Sequence, residues 1–296
     1  MIDYIYLISF YIFRFFVRII PKIILDKFLN MFAFFAYVID TKHRKIAKVN
    51  IDLAYENRIT EDEKTQIIKK CYKNLLYTLV DFVKNQGASK EEILGKVTFL
   101  NSEILENALK DGKKIIMLTA HYGNWELLSL SVAAKFTPIS IVGRDLDSKV
   151  MNKILTKNRE QFDVELLSKT GAMKGMVKAL KNNRPIGLLV DQNTSDSEGL
   201  LIDFFGKKAR HTPSAAILAK KFDAIIIPTF ISTYDNHKSY EVKFYEPIVL
   251  EENDDYLIKC VQEQANITQK VIENKPEEWF WLHKRWKNQY EYLYKK

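Results

Sequence analysis

The chain opens on apolar residues. From Tyr4 to Phe13 every position but Ser9 is apolar or aromatic, Arg14 and Arg18 follow one helical turn apart, Pro21 interrupts, and a second apolar stretch runs from Phe28 to Val38. A signal peptide carries its positive charge before the apolar core and a small-residue cleavage site after it; here the order is reversed and no such site follows, so the segment is expected to be retained. The uninterrupted run falls short of the roughly 20 apolar residues of a spanning helix. The pattern therefore predicts hydrophobic helices over residues 1–40 that anchor the chain in or at a membrane interface. The plainer reading is an amphipathic helix that closes the protein's own core. Past Asp40 the pattern turns polar and basic, and Lys42-His43-Arg44-Lys45 is placed to meet anionic headgroups on the cytoplasmic side.

Helical spacing returns from about Glu61 to Val83, where Ile67, Ile68, Leu75, Leu76, Leu79 and Val80 recur on one face before Gly87 and Ser89 break the run. From Lys113 the rhythm changes to short β-rich runs alternating with helical patterns. Strands are expected at Ile115–Thr119, Ile139–Val142, Val164–Leu167, Ile186–Val190, Ala224–Phe230 and Tyr240–Tyr245. Helices are expected at about 124–135, 148–162, 173–182 and 213–222, with a closing pair at 254–274 and 276–287. Together these predict one α/β domain over residues 41–296, a central mixed β-sheet flanked by helices. No internal repeat, low-complexity tract or Gly/Pro/Ser-rich linker divides it.

Composition changes this picture little. A chain of 296 residues can bury a large core. Cys71 and Cys260 are its only cysteines, far apart and each in a helical pattern, which supports neither a disulfide framework nor a cysteine metal site and fits a reducing compartment. The net charge of +8 invites a polyanion, but the lysines are scattered and no aromatic RNA-binding set or Cys/His finger accompanies them, so no nucleic-acid partner is expected.

The candidate chemistry centres on His121, at the carboxyl end of a buried strand, where ligands commonly meet an open α/β sheet. Glu126 follows five residues later. With His121 in the loop and Glu126 in the first helical turn, the carboxylate folds back to accept from Nδ1–H, fixing the tautomer while Nε2 takes a proton from a hydroxyl. Gly123 between them permits close backbone approach. Spacing alone favours a simpler reading, a histidine capping a strand end and a surface glutamate.

The stretch His121-Tyr122-Gly123-Asn124-Trp125-Glu126 resembles the His-x-x-x-x-Asp/Glu motif of the lysophospholipid acyltransferase superfamily, in the Gly-Asn-Trp-Glu form of the late acyltransferases of lipid A biosynthesis. Further likeness runs in order along the chain: Arg44 to Asn50 with Leu53-Ala54, Arg144, Asn158-Arg159, Asp191-Gln192, Phe204-Phe205-Gly206, Thr212-Pro213-Ser214, and Trp281-Leu282-His283-Lys284-Arg285-Trp286. One departure is Asp223, where a small residue, often Gly, is usual.

The resemblance implies an acyl carrier protein thioester as donor and, as acceptor, a phosphorylated glucosamine disaccharide carrying primary acyl chains and Kdo sugars, a lipid A precursor at the cytoplasmic face of the inner membrane. It implies His121 and Glu126 as the catalytic pair. Arg144, Arg159, Asp191, Gln192 and Asn124 become candidate substrate-binding residues: Arg144 for a lipid phosphate or the tetrahedral oxyanion, Asp191-Gln192 for lining the acceptor site. Arg159 either contacts phosphate or pairs within its own helix; the alternatives for the others are an ordinary strand-end ion pair for Arg144 and a loop cap for Asp191. Trp279, Trp281 and Trp286 are expected to pack a final helix onto the core, and Lys207, Lys208 and Arg210 to serve an interface or a polar turn. A thioester is already activated, so positioning, deprotonation and oxyanion stabilisation suffice; no metal or cofactor is expected. No Gly-x-Ser-x-Gly elbow is present, which favours direct transfer over an acyl-enzyme. The competing functions are an acyltransferase acting on a glycerolipid or another glycolipid, a non-catalytic peripheral lipid-binding protein, and a hydrolase.

Overall fold

The structure is a computed structural model that describes residues 2–249 and 253–295. The two apolar blocks form α1 (Ile2–Ile19) and α2 (Lys22–Ile39), which Pro21, lacking an N–H, separates. They are followed by α3 (Thr41–Tyr55), whose N-cap Asp40 accepts from the His43 N–H. The basic run Lys42–Lys45 is thus the first turn of a helix. Next comes α4 (Glu61–Asn85), started by a capping box between Thr60 and Glu63 with three acids in its first turn.

Helices α1 and α2 pack on α4, burying Val17, Leu25 and Leu29 against Tyr77 and Val80, and Phe10 against Val83. Their other faces are bare: Ile5, Ile8, Phe15, Phe28, Phe32 and Phe35 are all exposed. The amphipathic, core-closing reading therefore accounts for one face of these helices and leaves the other unexplained. Among the described residues, no helix is long and apolar enough to cross a membrane.

The remaining chain opens with three elements for which the sequence raised no expectation, and from Lys113 it alternates as the sequence predicts. In order it forms α5 (Lys90–Leu94), β1 (Val97–Leu100), α6 (Ser102–Lys110), β2 (Lys114–Thr119), α7 (Trp125–Lys135), β3 (Ile139–Gly143), α8 (Lys149–Arg159), β4 (Val164–Ser168), α9 (Ala172–Lys181) and β5 (Ile186–Leu189). It continues with β6 (Leu200–Phe204), β7 (Lys207–His211), α10 (Ser214–Phe222), β8 (Ala224–Tyr234), β9 (Ser239–Phe244), α11 (Tyr256–Asn274) and α12 (Lys287–Tyr290). The main sheet has the order β1-β9-β8-β2-β5-β3-β4; β8, β2, β5, β3 and β4 run parallel, and β9 is antiparallel to β8, so the sheet is mixed.

Strand alternation builds two cores. Ile115 and Met117 of β2 pack with Leu105, Leu127 and Leu130 on one side, while Ile116 and Leu118 pack with α9, α10 and the C-terminal tryptophans on the other. Buried on both faces, β2 reads as a continuous apolar run.

Three elements differ from the sequence-based expectation. Strand β1 is too short to leave a periodic signal. Residues 200–211 form a hairpin whose turn, Phe205-Gly206, has both φ values positive (53° and 69°), the geometry of a two-residue hairpin loop. Lys207, Lys208 and Arg210 there pair with Glu56, Asp203 and Asp196, which fits the polar-turn reading. The helix expected over 276–287 is absent. Its place is taken by a single turn at Pro276–Glu278 and an extended stretch in which Trp279 bridges antiparallel to Tyr122.

Asp223, the departure noted above, closes α10 in the left-handed conformation (φ 50°, ψ 47°). This explains why glycine suits that position, and Asp is among the residues that tolerate it.

Candidate active site

Strand register makes the site. β2 and β5 are parallel neighbours with Thr119 opposite Leu189. His121 and Asp191 each lie two residues past that pair, side by side at the carboxyl edge of the sheet. The ring Nδ1 of His121 is 2.9 Å from Asp191 Oδ1, and the backbone N–H of His121 donates to Asp191 Oδ2 at 3.1 Å. The carboxylate can only accept, so Nδ1 carries the proton and Nε2 presents its lone pair outward. The His121 side chain is 23% exposed and Asp191 2%.

Burial by itself raises the Asp191 carboxyl pKa. The His121 imidazole, with the hydrogen bonds from His121 and Trp279, more than reverses this and holds it at about 2. Trp279 is the third member: its indole N–H donates to Asp191 Oδ2 at 2.8 Å from a buried position. The Phe280 N–H donates to the His121 carbonyl and the Gly123 N–H to the Glu278 carbonyl, both at 2.9 Å, so residues 278–280 brace the histidine loop along its length. Glycine at 123 is required twice over. Its φ is +57°, and a Cβ there would come within 1.9 Å of the Ile231 carbonyl oxygen. Trp125 and Phe280 flank the imidazole with ring centroids 5.4 and 6.3 Å away. Gln192 reaches the outward face, its amide nitrogen 3.3 Å from His121 Nε2.

The expected contact between Glu126 and His121 is not made. Glu126 lies in the first turn of α7 and points toward α8, where Arg159 Nε donates to its Oε2 at 2.9 Å and Nη2 meets its Oε1 at 2.5 Å. The imidazole side that Glu126 was expected to occupy is held by Asp191, because an adjacent strand end reaches it without bending a helix start. Asn124 also differs from expectation. It is 1% exposed, its Oδ1 accepts from the Leu127 N–H to cap α7, and its Nδ2 donates to Asp81. Each polar end of the buried side chain thus has a partner within the protein. Arg144, one residue beyond β3, is exposed on the same sheet edge as His121. Arg159 is partly buried in its pair with Glu126.

The packing expected of the tryptophans is present: Trp279, Trp281 and Trp286 are all buried, with Phe204 and Phe205 among them. The hydrogen bond from Trp279 to Asp191 had no sequence signal beyond the tryptophan itself. His283 accepts the Asn193 N–H at 3.0 Å through Nε2, fixing the loop after β5. Arg285 is buried over the Phe204 ring and donates to His211 Nδ1. Neither residue reaches outward. Cys71, buried in α4, has its thiol pushed up to about 12 by burial and lies outside this constellation.

Chemically, an imidazole held through Nδ1 by an ionised carboxylate, with Nε2 facing outward, has the arrangement of a general base. Residues 2–288 match the family described as bacterial lipid A biosynthesis acyltransferase. The chain is 19% identical over 241 residues to a lipid A biosynthesis acyltransferase of Haemophilus influenzae, covering 81% of this chain and 74% of that one. It is 20% identical over 247 residues to the lipid A biosynthesis lauroyltransferase of Escherichia coli, covering 83% and 79%. It is also 24% identical over 186 residues to a phosphatidylinositol mannoside acyltransferase of Mycolicibacterium smegmatis, covering 62% and 60%.

Proposed function

The chain belongs to the bacterial lipid A biosynthesis acyltransferase family, and on that premise we propose that it moves a fatty acyl group from acyl carrier protein to a hydroxyl of a Kdo-bearing lipid A precursor, with His121 as general base. The observation that carries this reading is the His121–Asp191 pair at the carboxyl edge of the sheet. The acceptor hydroxyl meets Nε2, which takes its proton as the oxygen attacks the thioester carbonyl. Asp191 fixes the tautomer and stabilises the imidazolium. The thiolate of the carrier leaves as the tetrahedral intermediate collapses, taking up a proton from His121.

Gln192 sits where the hydroxyl must enter, so binding displaces its amide from Nε2 and leaves an N–H donor beside the reacting atoms. Arg144 is placed at the same edge to meet a phosphate of the acceptor or donor. Glu126 acts through Arg159, tying α7 to α8 beside the site. The exposed apolar faces of α1 and α2 rest in the surface of the inner membrane on its cytoplasmic side, an interfacial anchor made by residues 1–40 on an α/β transferase domain. There both lipid chains are within reach.

Transfer is direct. Neither Cys71 nor Cys260 is accessible, and the stretch between His121 and Glu126 offers no Ser, Thr or Cys. Incubation with labelled acyl carrier thioester and no acceptor should leave the denatured protein unlabelled. Stable label that is chased by acceptor lipid would refute the direct route.

The mannoside acyltransferase relative favours a second reading in which the acceptor is a glycolipid without Kdo. Mass spectrometry of products from the purified protein, given acyl carrier thioester and a panel of acceptors, separates the two. One acyl chain added to the Kdo-bearing precursor is expected. Acylation of only the other glycolipids or of glycerolipids would move the substrate, and free fatty acid alone would make the protein a hydrolase.

A further inference from the structure

A cavity of about 360 Å³ lies between α1 and α8, away from the His121 site. Leu7, Tyr11 and Ile154 form its apolar side, and Arg14, Lys153 and Lys157 its cationic side. Such a volume is that of a small-ligand pocket.

Several part-buried cations elsewhere in the protein have acids: Arg159 has Glu126, Arg184 has Asp163, Lys64 has Asp52 and Glu61. Helix α8 contains no acidic residue, and Lys149, Lys153 and Lys157 repeat at helical spacing along it. Arg14 is half-buried, and its bonds go only to neutral oxygens, Gln86 Oε1 at 3.1 Å and the Gln86 carbonyl at 2.9 Å; Arg18 shares that carbonyl at 2.8 Å. Burial and then the Arg18 charge push the Arg14 guanidinium below its ordinary pKa. A part-buried guanidinium bonded only to neutral oxygens, beside the exposed ammonium groups of Lys153 and Lys157, favours an anion between them.

We propose that this cleft binds the phosphate of an anionic phospholipid, with Arg14, Lys153 and Lys157 around the headgroup and Leu7, Tyr11 and Ile154 against the start of its acyl chains. The choice of occupant follows from place and chemistry. Tyr11 also belongs to the exposed apolar face of α1, so the cleft is continuous with the surface proposed to lie in the membrane, and its lining is half cationic and half apolar like the lipid it would take. The proposal rests on that interfacial reading, and makes the membrane's composition a determinant of where and how tightly the enzyme sits.

The test is co-sedimentation of the full chain with vesicles of phosphatidylcholine alone or with added phosphatidylglycerol. Wild type should bind the mixed vesicles more tightly. The double variant Lys153→Gln/Lys157→Gln should lose most of that gain, about tenfold or more in partitioning, while binding phosphatidylcholine as before. Lys220→Gln/Lys221→Gln removes the same charge from α10 and should stay near wild type. Equal losses in both variants, or none in the first, overturn the cleft. Unchanged vesicle binding together with weaker binding of acyl carrier protein would assign these lysines to the carrier and also overturn it. Wild type binding both vesicles equally overturns the cleft and leaves the interfacial anchor standing; binding neither overturns both.

Discussion

His121 was legible as the centre of the site because a lone histidine closes a buried apolar run, Ile115 to Ala120, and turns into a helix. Its true partner was not. Glu126 is five residues away in sequence and Asp191 seventy, and only the order of strands in the sheet, with β5 beside β2, decides that the distant carboxylate arrives. Asp191 was singled out for its position on a strand end, but its role as the support of the imidazole needed the register. Trp279 offers a test at this scale. Trp279→Phe keeps the ring packing and removes the N–H that holds Asp191. Loss of one hydrogen bond to a charged group is worth roughly 1.5–3 kcal/mol, so kcat should fall about tenfold to a hundredfold with KM little changed. The carboxylate, short of one donor, should also protonate at higher pH than it does now. A variant that is merely less stable, with kcat intact, would limit Trp279 to packing.

Among the elements, long periodic helices and apolar strands were readable in the sequence, whereas β1, the 200–211 hairpin and the C-terminal segment were not. The last misreads most instructively. Residues 276–287 were expected as a helix, yet Trp279 and Trp281 are drawn to the same aromatic cluster, ring centroids 4.6 Å apart, by the histidine loop they brace. Tertiary packing overrides local preference there.

This segment also sets a pH dependence. His211, beneath Arg285, is lowered to about 3 by burial and then by the Arg285 charge, and His283, accepting from Asn193, is lowered to about 4, chiefly by burial. In the unfolded chain both take a proton near the ordinary value of 6.5. The folded state resists it, so the stability they help preserve is complete above that value and is lost as pH falls toward their folded pKa values. His211 alone should cost about 2 kcal/mol between pH 6.5 and 5. Urea unfolding across that interval should show the fall, and His211→Leu should roughly halve it, His283 accounting for the rest; a wild-type midpoint independent of pH would contradict the burial of a neutral histidine.

For the molecule as a whole, the two N-terminal apolar blocks were readable as helices from their pattern, and the structure divides their residues between a face on α4 and a face left open. The open face yields a prediction that leaves the core untouched. Phe28→Ser/Phe32→Ser alters exposed rings only and should lower vesicle partitioning by about a hundredfold or more, each buried Phe being worth roughly 1.5–3 kcal/mol, with thermal stability unchanged. The binding that remains should weaken with salt as the basic contacts are screened. Unaltered partitioning would remove these helices from the membrane surface.

The account as a whole depends on an imidazole held by a buried carboxylate acting as base in acyl transfer. Its most direct test is the turnover of His121→Ala and Asp191→Asn beside wild type, each confirmed as folded by circular dichroism, with acyl carrier thioester and the Kdo-bearing precursor at saturation. Asn at 191 retains the size of the side chain and removes the charge that fixes the tautomer. Losses of about 10²–10⁴ in kcat for both variants are predicted, the range for general-base catalysis. A folded His121→Ala protein that turns over like wild type would contradict the account.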